Sequence, residues 1–111
     1  MKEIKLQDLD QSIYFKKLNN GLEVYFIPYK NKSNYSMHYI TKFGSRNTAF
    51  KPVGSKKMIT VPDGIAHFLE HKMFEQPNGT NSLDTLMALG IDANAYTTND
   101  HTAYLFECTN N

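Results

Sequence analysis

One cysteine in a chain of 111 residues excludes an intramolecular disulfide framework, so Cys108 is expected to pack as a small hydrophobe within a strand. Apolar runs are short, and none approaches the roughly 20 residues that cross a bilayer as a helix. The opening stretch from Met1 to Asp8 carries Lys2, Glu3, Lys5 and Asp8 where a secretory leader needs an apolar centre. There is no excess of one charge. Twelve basic and 11 acidic residues leave a formal net charge of +1, which gives neither nucleic acid nor an anionic membrane an electrostatic reason to bind. The Lys56-Lys57 pair, in a stretch holding Gly54 and Ser55, reads as solvated surface. Internal repeats and low-complexity tracts are also missing. What remains, 41% hydrophobic and 21% charged, describes a soluble globular segment, with a cytoplasmic location as the default expectation.

Strands come first along the chain. Residues 13–18 and 22–29 are strand-like, and Asn19-Asn20-Gly21 between them tolerates positive φ, which predicts a hairpin. From Tyr35 to Phe43, Met37, Tyr39, Thr41 and Phe43 alternate with mostly polar residues, predicting a third strand closed by Gly44. Residues 45–62, with glycine, serine, two prolines and several lysines, form the longest irregular segment. Asp63 is the expected N-cap of a helix that Glu75-Gln76-Pro77-Asn78-Gly79 ends. A shorter helix is expected over 82–89, with Leu83, Leu86 and Met87 inward and Gly90 as its stop. Two strands, 93–97 and 102–108, joined by Thr98-Asn99-Asp100, complete the order β-β-β-α-α-β-β. The fold class is α+β, with helices on one face of a largely antiparallel sheet.

The chemistry is concentrated in His67-Phe68-Leu69-Glu70-His71, an H-x-x-E-H run. On a helix, positions i and i+4 lie one above the other, so His67 and His71 project side by side at a separation that one metal ion bridges. Glu70 shares that face, placed to take a proton from water. Two neutral nitrogens leave room for a carboxylate ligand and a water, the open coordination of a catalytic zinc. By chance this pattern would arise in fewer than about one such chain in a hundred. Around the wheel, His67, Glu70, His71 and Phe74 occupy one side while Ile65, Phe68, Leu69 and Met73 form an apolar back, expected to pack into a core. His38 reads as a core or surface residue, and His101 has no assigned role.

Pro62-Asp63-Gly64-Ile65-Ala66-His67-Phe68-Leu69-Glu70-His71-Lys72-Met73-Phe74 resembles the zinc-site helix of the insulinase/pitrilysin metallopeptidases, the inverzincins, and within them the insulinase-like bacterial branch. Asn94-Ala95-Tyr96-Thr97 followed by His101-Thr102-Ala103-Tyr104 resembles the family's N-A-F/Y-T strand and the aromatic strand after it. Asn20-Gly21-Leu22-Glu23-Val24 and Phe43-Gly44-Ser45-Arg46 fit its first strands, so the resemblance runs from about Tyr14 to Cys108.

The resemblance implies a zinc metalloendopeptidase that hydrolyses peptides. His67 and His71 are then ligands to Zn²⁺ and Glu70 is the catalytic base. It also implies a third ligand, a glutamate several dozen residues beyond the motif, and paired domains of like fold enclosing a chamber. Residues 1–111 are accordingly expected to be the N-terminal part of a catalytic domain. The expected partners are a peptide substrate, the rest of that domain and a second like domain or subunit. Alone, these residues are expected to bind zinc weakly, to lack peptidase activity and to self-associate.

Residue types alone leave the 93–97 strand open. Its alanines suit a buried strand in a narrow gap, the favoured reading, or an edge strand that accepts an extended peptide. The resemblance favours the second, making Asn94, Ala95 and Tyr96 substrate-binding. The alternative to an enzyme is a noncatalytic structural or partner subunit of the same family, or an inactive fragment.

Overall fold

The computed structural model describes residues 1–6 and 9–109; Gln7 and Asp8 from the opening stretch, and Asn110 and Asn111 after the last expected strand, lie outside the described residues. The chain divides into two units, Met1–Lys32 and a second beginning at Ser33.

The first unit is a three-stranded antiparallel sheet of β1 (Lys2–Leu6), β2 (Gln11–Lys17) and β3 (Glu23–Phe26), with β2 in the centre. The expected hairpin is β2–β3. Leu18 N–H donates to Leu22 O at 2.8 Å, and Gly21 takes φ 90°, a conformation that glycine adopts without a Cβ clash. Cross-strand pairing is aromatic: Phe15 opposes Tyr25 with ring centroids 5.0 Å apart, a contact favourable beyond its buried area. β1 was not expected. Its signal is the alternation of Ile4 and Leu6 with Glu3 and Lys5, a strand pattern that its charges obscure.

The second unit is built on β4 (Asn34–Thr41), β7 (Asp92–Thr97) and β8 (Thr102–Thr109), ordered β4-β8-β7 and antiparallel throughout. Between β4 and β7 in sequence lie β5 (Ala49–Phe50) and β6 (Ile59–Thr60), a two-stranded ladder, then helices α1 (Ile65–Lys72) and α2 (Ser82–Ala88). The α+β class and the two helices agree with expectation. The β5–β6 ladder falls within the stretch read as irregular. Its strands are two residues long, below the length at which periodicity is visible, and Phe50 is held by an edge-on contact with Phe43 at 5.2 Å.

The helix ends follow glycine and asparagine chemistry. Asn81 caps α2, its Oδ1 accepting from Leu83 N–H at 2.8 Å. Gly90, at φ 76°, stops it, with Gly90 N–H donating to Met87 O and Ile91 N–H to Leu86 O, both at 3.0 Å. Leu83 and Leu86 are half-buried as expected, whereas Met87 is exposed. The half-buried positions Ser82, Leu83 and Leu86 cover one arc of the wheel, and Met87, at about 100° per residue, falls beyond its Leu83 end. Asp63 is not the cap of α1. That position falls to Gly64, left-handed at φ 84° with no side-chain cap, because a chain entering the helix through that conformation has no use for a residue with a Cβ.

The packing of α1 also departs from expectation. Its buried residues are Ala66 and Glu70, one turn apart and facing β7 and β8, and Phe74, two residues past its end, extends that stripe. Of the expected apolar back, Phe68, Leu69 and Met73 are 58%, 45% and 58% exposed, while Ile65 is half-buried. The helix therefore lays the face that carries the motif glutamate onto its own sheet. Ala66 permits close approach, and Phe74 meets Tyr104 of β8 at 5.8 Å between ring centroids.

The turn after β7 is clamped by the start of the β4–β5 connection. Ser45 N–H donates to Thr98 O at 2.9 Å and Arg46 N–H to Asn99 O at 3.0 Å. A Cβ on Gly44 would stand 2.5–2.6 Å from backbone atoms of Asn99, Asp100 and His101. Gly44→Ala should therefore destabilise the protein by at least about 1–3 kcal/mol, and Asn81→Ala by about 1 kcal/mol. Urea midpoints for the two variants, at unchanged m-value, check both figures and their order.

Candidate metal centre

Side chains one helical turn apart on α1 define the centre. His67 Nε2 and His71 Nε2 are 3.1 Å apart, and the rings are tilted by 40° with centroids at 4.8 Å. Ligand atoms of His67, Glu70 and His71 all lie within 4.8 Å of one another. Two nitrogens at that separation can both reach an ion at zinc–imidazole distance, roughly 2.0–2.1 Å, subtending about 100° at it, near the tetrahedral angle. The donor set therefore fits zinc. Both histidines are exposed, leaving further coordination positions open to solvent, while Glu70 is 7% exposed.

A carboxylate buried to that degree needs donors. Thr97, the last residue of β7, supplies one: its Oγ1 donates to Glu70 Oε2 at 2.6 Å, the short length expected when the acceptor is charged. Thr102, opposite Thr97 in the ladder and 2% exposed, donates its own hydroxyl to Phe43 O at 2.7 Å. The two threonine oxygens stand 3.3 Å apart. Tyr104 lies close enough for the Glu70 charge to matter: burial chiefly pushes its phenol pKa up, and the Glu70 carboxylate adds to the rise.

β7 is an edge strand of its sheet among the described residues. Thr98 N–H donates to His101 O at 2.8 Å, making 98/101 a hydrogen-bonded pair. By alternation the pairs 97/102, 95/104 and 93/106 are of the other kind, so the backbone N–H and C=O of Ala93, Ala95 and Thr97 point to the free edge. Asn94 Oδ1 occupies one of these donors, accepting from Ala95 N–H at 2.8 Å. Because Thr97 turns its side chain to Glu70, Ala95 shares the helix-covered face. Asn94 and Tyr96 face the other way, and the Tyr96 ring packs edge-on to His101 at 5.9 Å.

The structure thus brings His67, Glu70 and His71 together and sets the strand bearing Asn94, Ala95 and Tyr96 against α1, although Asn94 and Tyr96 point away from the histidines. Glu75 pairs with Lys72 at 2.5 Å, and among the described residues no further acidic or histidine side chain joins the cluster. His38 is a surface residue beside Ser36, at 3.2 Å. His101 Nδ1 contacts Asp100 Oδ1 at 2.6 Å and Thr98 Oγ1 at 2.9 Å. The bonds of Asp100 to His101 and then Thr98 hold its carboxyl below the usual aspartate range. Thr97, Thr102 and Tyr104 were missed as site residues. The strand period does place Thr97 and Ala95 on one face, but nothing local in the sequence says that α1 lies over it.

An antiparallel sheet backs a helix that brings two histidines and a glutamate within 4.8 Å of one another, a donor set that fits a divalent metal ion. Residues 52–111 match the family Insulinase (Peptidase family M16), and the chain belongs to that family. It is 43% identical over all 111 residues to a zinc protease of Bacillus subtilis (strain 168), "Uncharacterized zinc protease YmfH", of which it covers 26%. Over 105 residues, 95% of this chain, it is 29% identical to the B. subtilis (strain 168) protein named "Putative zinc protease AlbF", of which it covers 24%. Its fold is that of part of a crystal structure described as an M16-like peptidase from Alicyclobacillus acidocaldarius, with TM-score 0.79 and 40% identity, covering 92% of this chain and 23% of that one. The chain spans about a quarter of the length of the relatives it matches. No helix among the described residues is long and apolar enough to cross a membrane.

Of the four histidines in this sequence, added Zn²⁺ should shift the ring resonances of His67 and His71 and leave those of His38 and His101 in place. Histidine-selective NMR titration checks this, with His71→Ala expected to abolish the response at His67.

Proposed function

We propose that this chain is part of the catalytic domain of a zinc metalloendopeptidase, residues 1–111 forming its N-terminal portion. The observation that carries the reading is the 3.1 Å pairing of His67 and His71 nitrogens beside the buried carboxylate of Glu70. Membership of the insulinase family and similarity to proteins named zinc proteases support it. His67 and His71 would hold Zn²⁺. When bound, the ion supplies Lewis acidity, polarising a carbonyl and making water a nucleophile near neutral pH.

Glu70 then acts as general base and acid. Its Oε2 is engaged by Thr97, so Oε1 is the oxygen free to take a proton from the attacking water and deliver it to the leaving amine. The β7 edge receives the substrate. An extended peptide pairing with Ala95 would replace the Asn94 side chain on the Ala95 N–H, and Tyr96 would border a side-chain subsite on the face away from α1. A peptide rather than a folded protein fits such an edge, because the substrate must offer its own backbone donors and acceptors. The remaining ligand, and the rest of the chamber, would come from outside these residues, and a cytoplasmic location is proposed with them.

In the full-length protein, Glu70→Gln should retain near-normal zinc content and lose peptide hydrolysis by at least about a hundredfold, since an amide cannot accept the proton. His71→Ala should lose both. Metal analysis beside cleavage of a quenched fluorescent peptide separates the two roles, and undiminished turnover by the Gln variant would remove Glu70 as the base.

A further inference from the structure

We infer that Thr97 is a positioning residue, which holds the Glu70 carboxylate in one orientation through its hydroxyl and so links the substrate-receiving edge of β7 to the base. The inference rests on Glu70 being that base, and three features carry it. The first is the direction of the proton. Thr102 Oγ1 lies 2.7 Å from Phe43 O, a carbonyl that only accepts, so the Thr102 proton is committed there. Thr97 Oγ1 lies 2.6 Å from Glu70 Oε2. With an ionised carboxylate this contact is attractive only if the Thr97 proton sits within it. The 3.3 Å approach of the two threonine oxygens is then left without a proton. Thr102 thereby removes the alternative in which Thr97 donates backward into the sheet.

The second feature is burial. Glu70 is 7% exposed and Thr102 2%, so water competes poorly for either bond, and loss of the Thr97 hydroxyl would leave a carboxylate oxygen short of its donor. The third is placement. By the ladder alternation, the Thr97 backbone faces the free edge while its side chain faces α1. A peptide paired along β7 would lie against the same residue that orients the carboxylate, which sets Oε1 in register with the peptide backbone.

Thr97→Val keeps the branched shape and removes the donor; Thr97→Ser keeps the donor. In the full-length protein, Thr97→Val should lower kcat about 10- to 100-fold, the usual cost of losing a partner that orients a site residue. KM should stay within about twofold and zinc content should be unchanged. Thr97→Ser should recover kcat to within a few-fold, and Thr97→Ala gives a second hydroxyl-free background should Val distort the strand. A measurement independent of turnover is the side-chain carboxyl ¹³C resonance of Glu70 in zinc-free protein, assigned by its loss in Glu70→Gln. It should move in Thr97→Val and Thr97→Ala and return in Thr97→Ser.

Wild-type kcat in both hydroxyl-free variants, a Ser variant as impaired as Val, or a Glu70 resonance indifferent to all three would overturn the inference. If Glu70→Gln itself cleaves normally, the base assignment fails instead, whatever Thr97 does. A resonance that still follows the hydroxyl would then mark the bond as purely structural and remove the positioning role.

Discussion

Everything at the candidate metal centre depends on how a nearly buried carboxylate is accommodated against a sheet. Glu70 faces inward from α1 between Ala66 and Phe74, and a carboxylate there without a donor would oppose the packing of the helix. The Thr97 hydroxyl resolves the conflict with one short bond. Together with the packing of Ala66 and Phe74, this inward glutamate leaves His67 and His71 at the border of the buried stripe, exposed and side by side. The histidine pair follows from helical spacing, and the glutamate beside it from its partner on β7.

This explains why the helix turns its apolar back outward. A helical wheel ranks faces by hydrophobicity, and by that ranking Phe68, Leu69 and Met73 should be inside. In this unit the face that lies on the sheet is set instead by the small Ala66, by the ring of Phe74 against Tyr104, and by a polar group with a partner waiting for it. Both faces of α1 are then suited to burial, the pattern of a helix that lies between a sheet and a further layer.

Much of the fold was legible because its signals are local. The β2–β3 hairpin is announced by Asn19-Asn20-Gly21, the end of α2 by Gly90, and the histidine pair by spacing alone, since i and i+4 on a helix cannot help being neighbours. What was illegible is what arises between distant segments. No pattern within 94–97 states that α1 will cover Thr97, and no property of Gly44 in its own sequence context states that the 98–101 turn will lie against it. Strands of two residues, or strands whose alternation is masked by lysines as in β1, fall below what a period-2 reading detects. Asp63 illustrates the opposite error: a good capping residue by type, displaced by a glycine whose left-handed backbone brings the chain into the helix.

The bond from Thr102 to Phe43 spans 59 positions of sequence, whereas the histidine pair spans four. Closing a loop of that length is entropically slower and costlier than completing one helical turn. The two halves of the centre therefore mature on different clocks during folding. The imidazoles become neighbours as soon as α1 forms, while the carboxylate acquires its orientation only after β4, β7 and β8 have zipped together. A chain caught between those events would carry a formed histidine pair beside a glutamate still free to swing, so that the pair alone would not mark a finished centre.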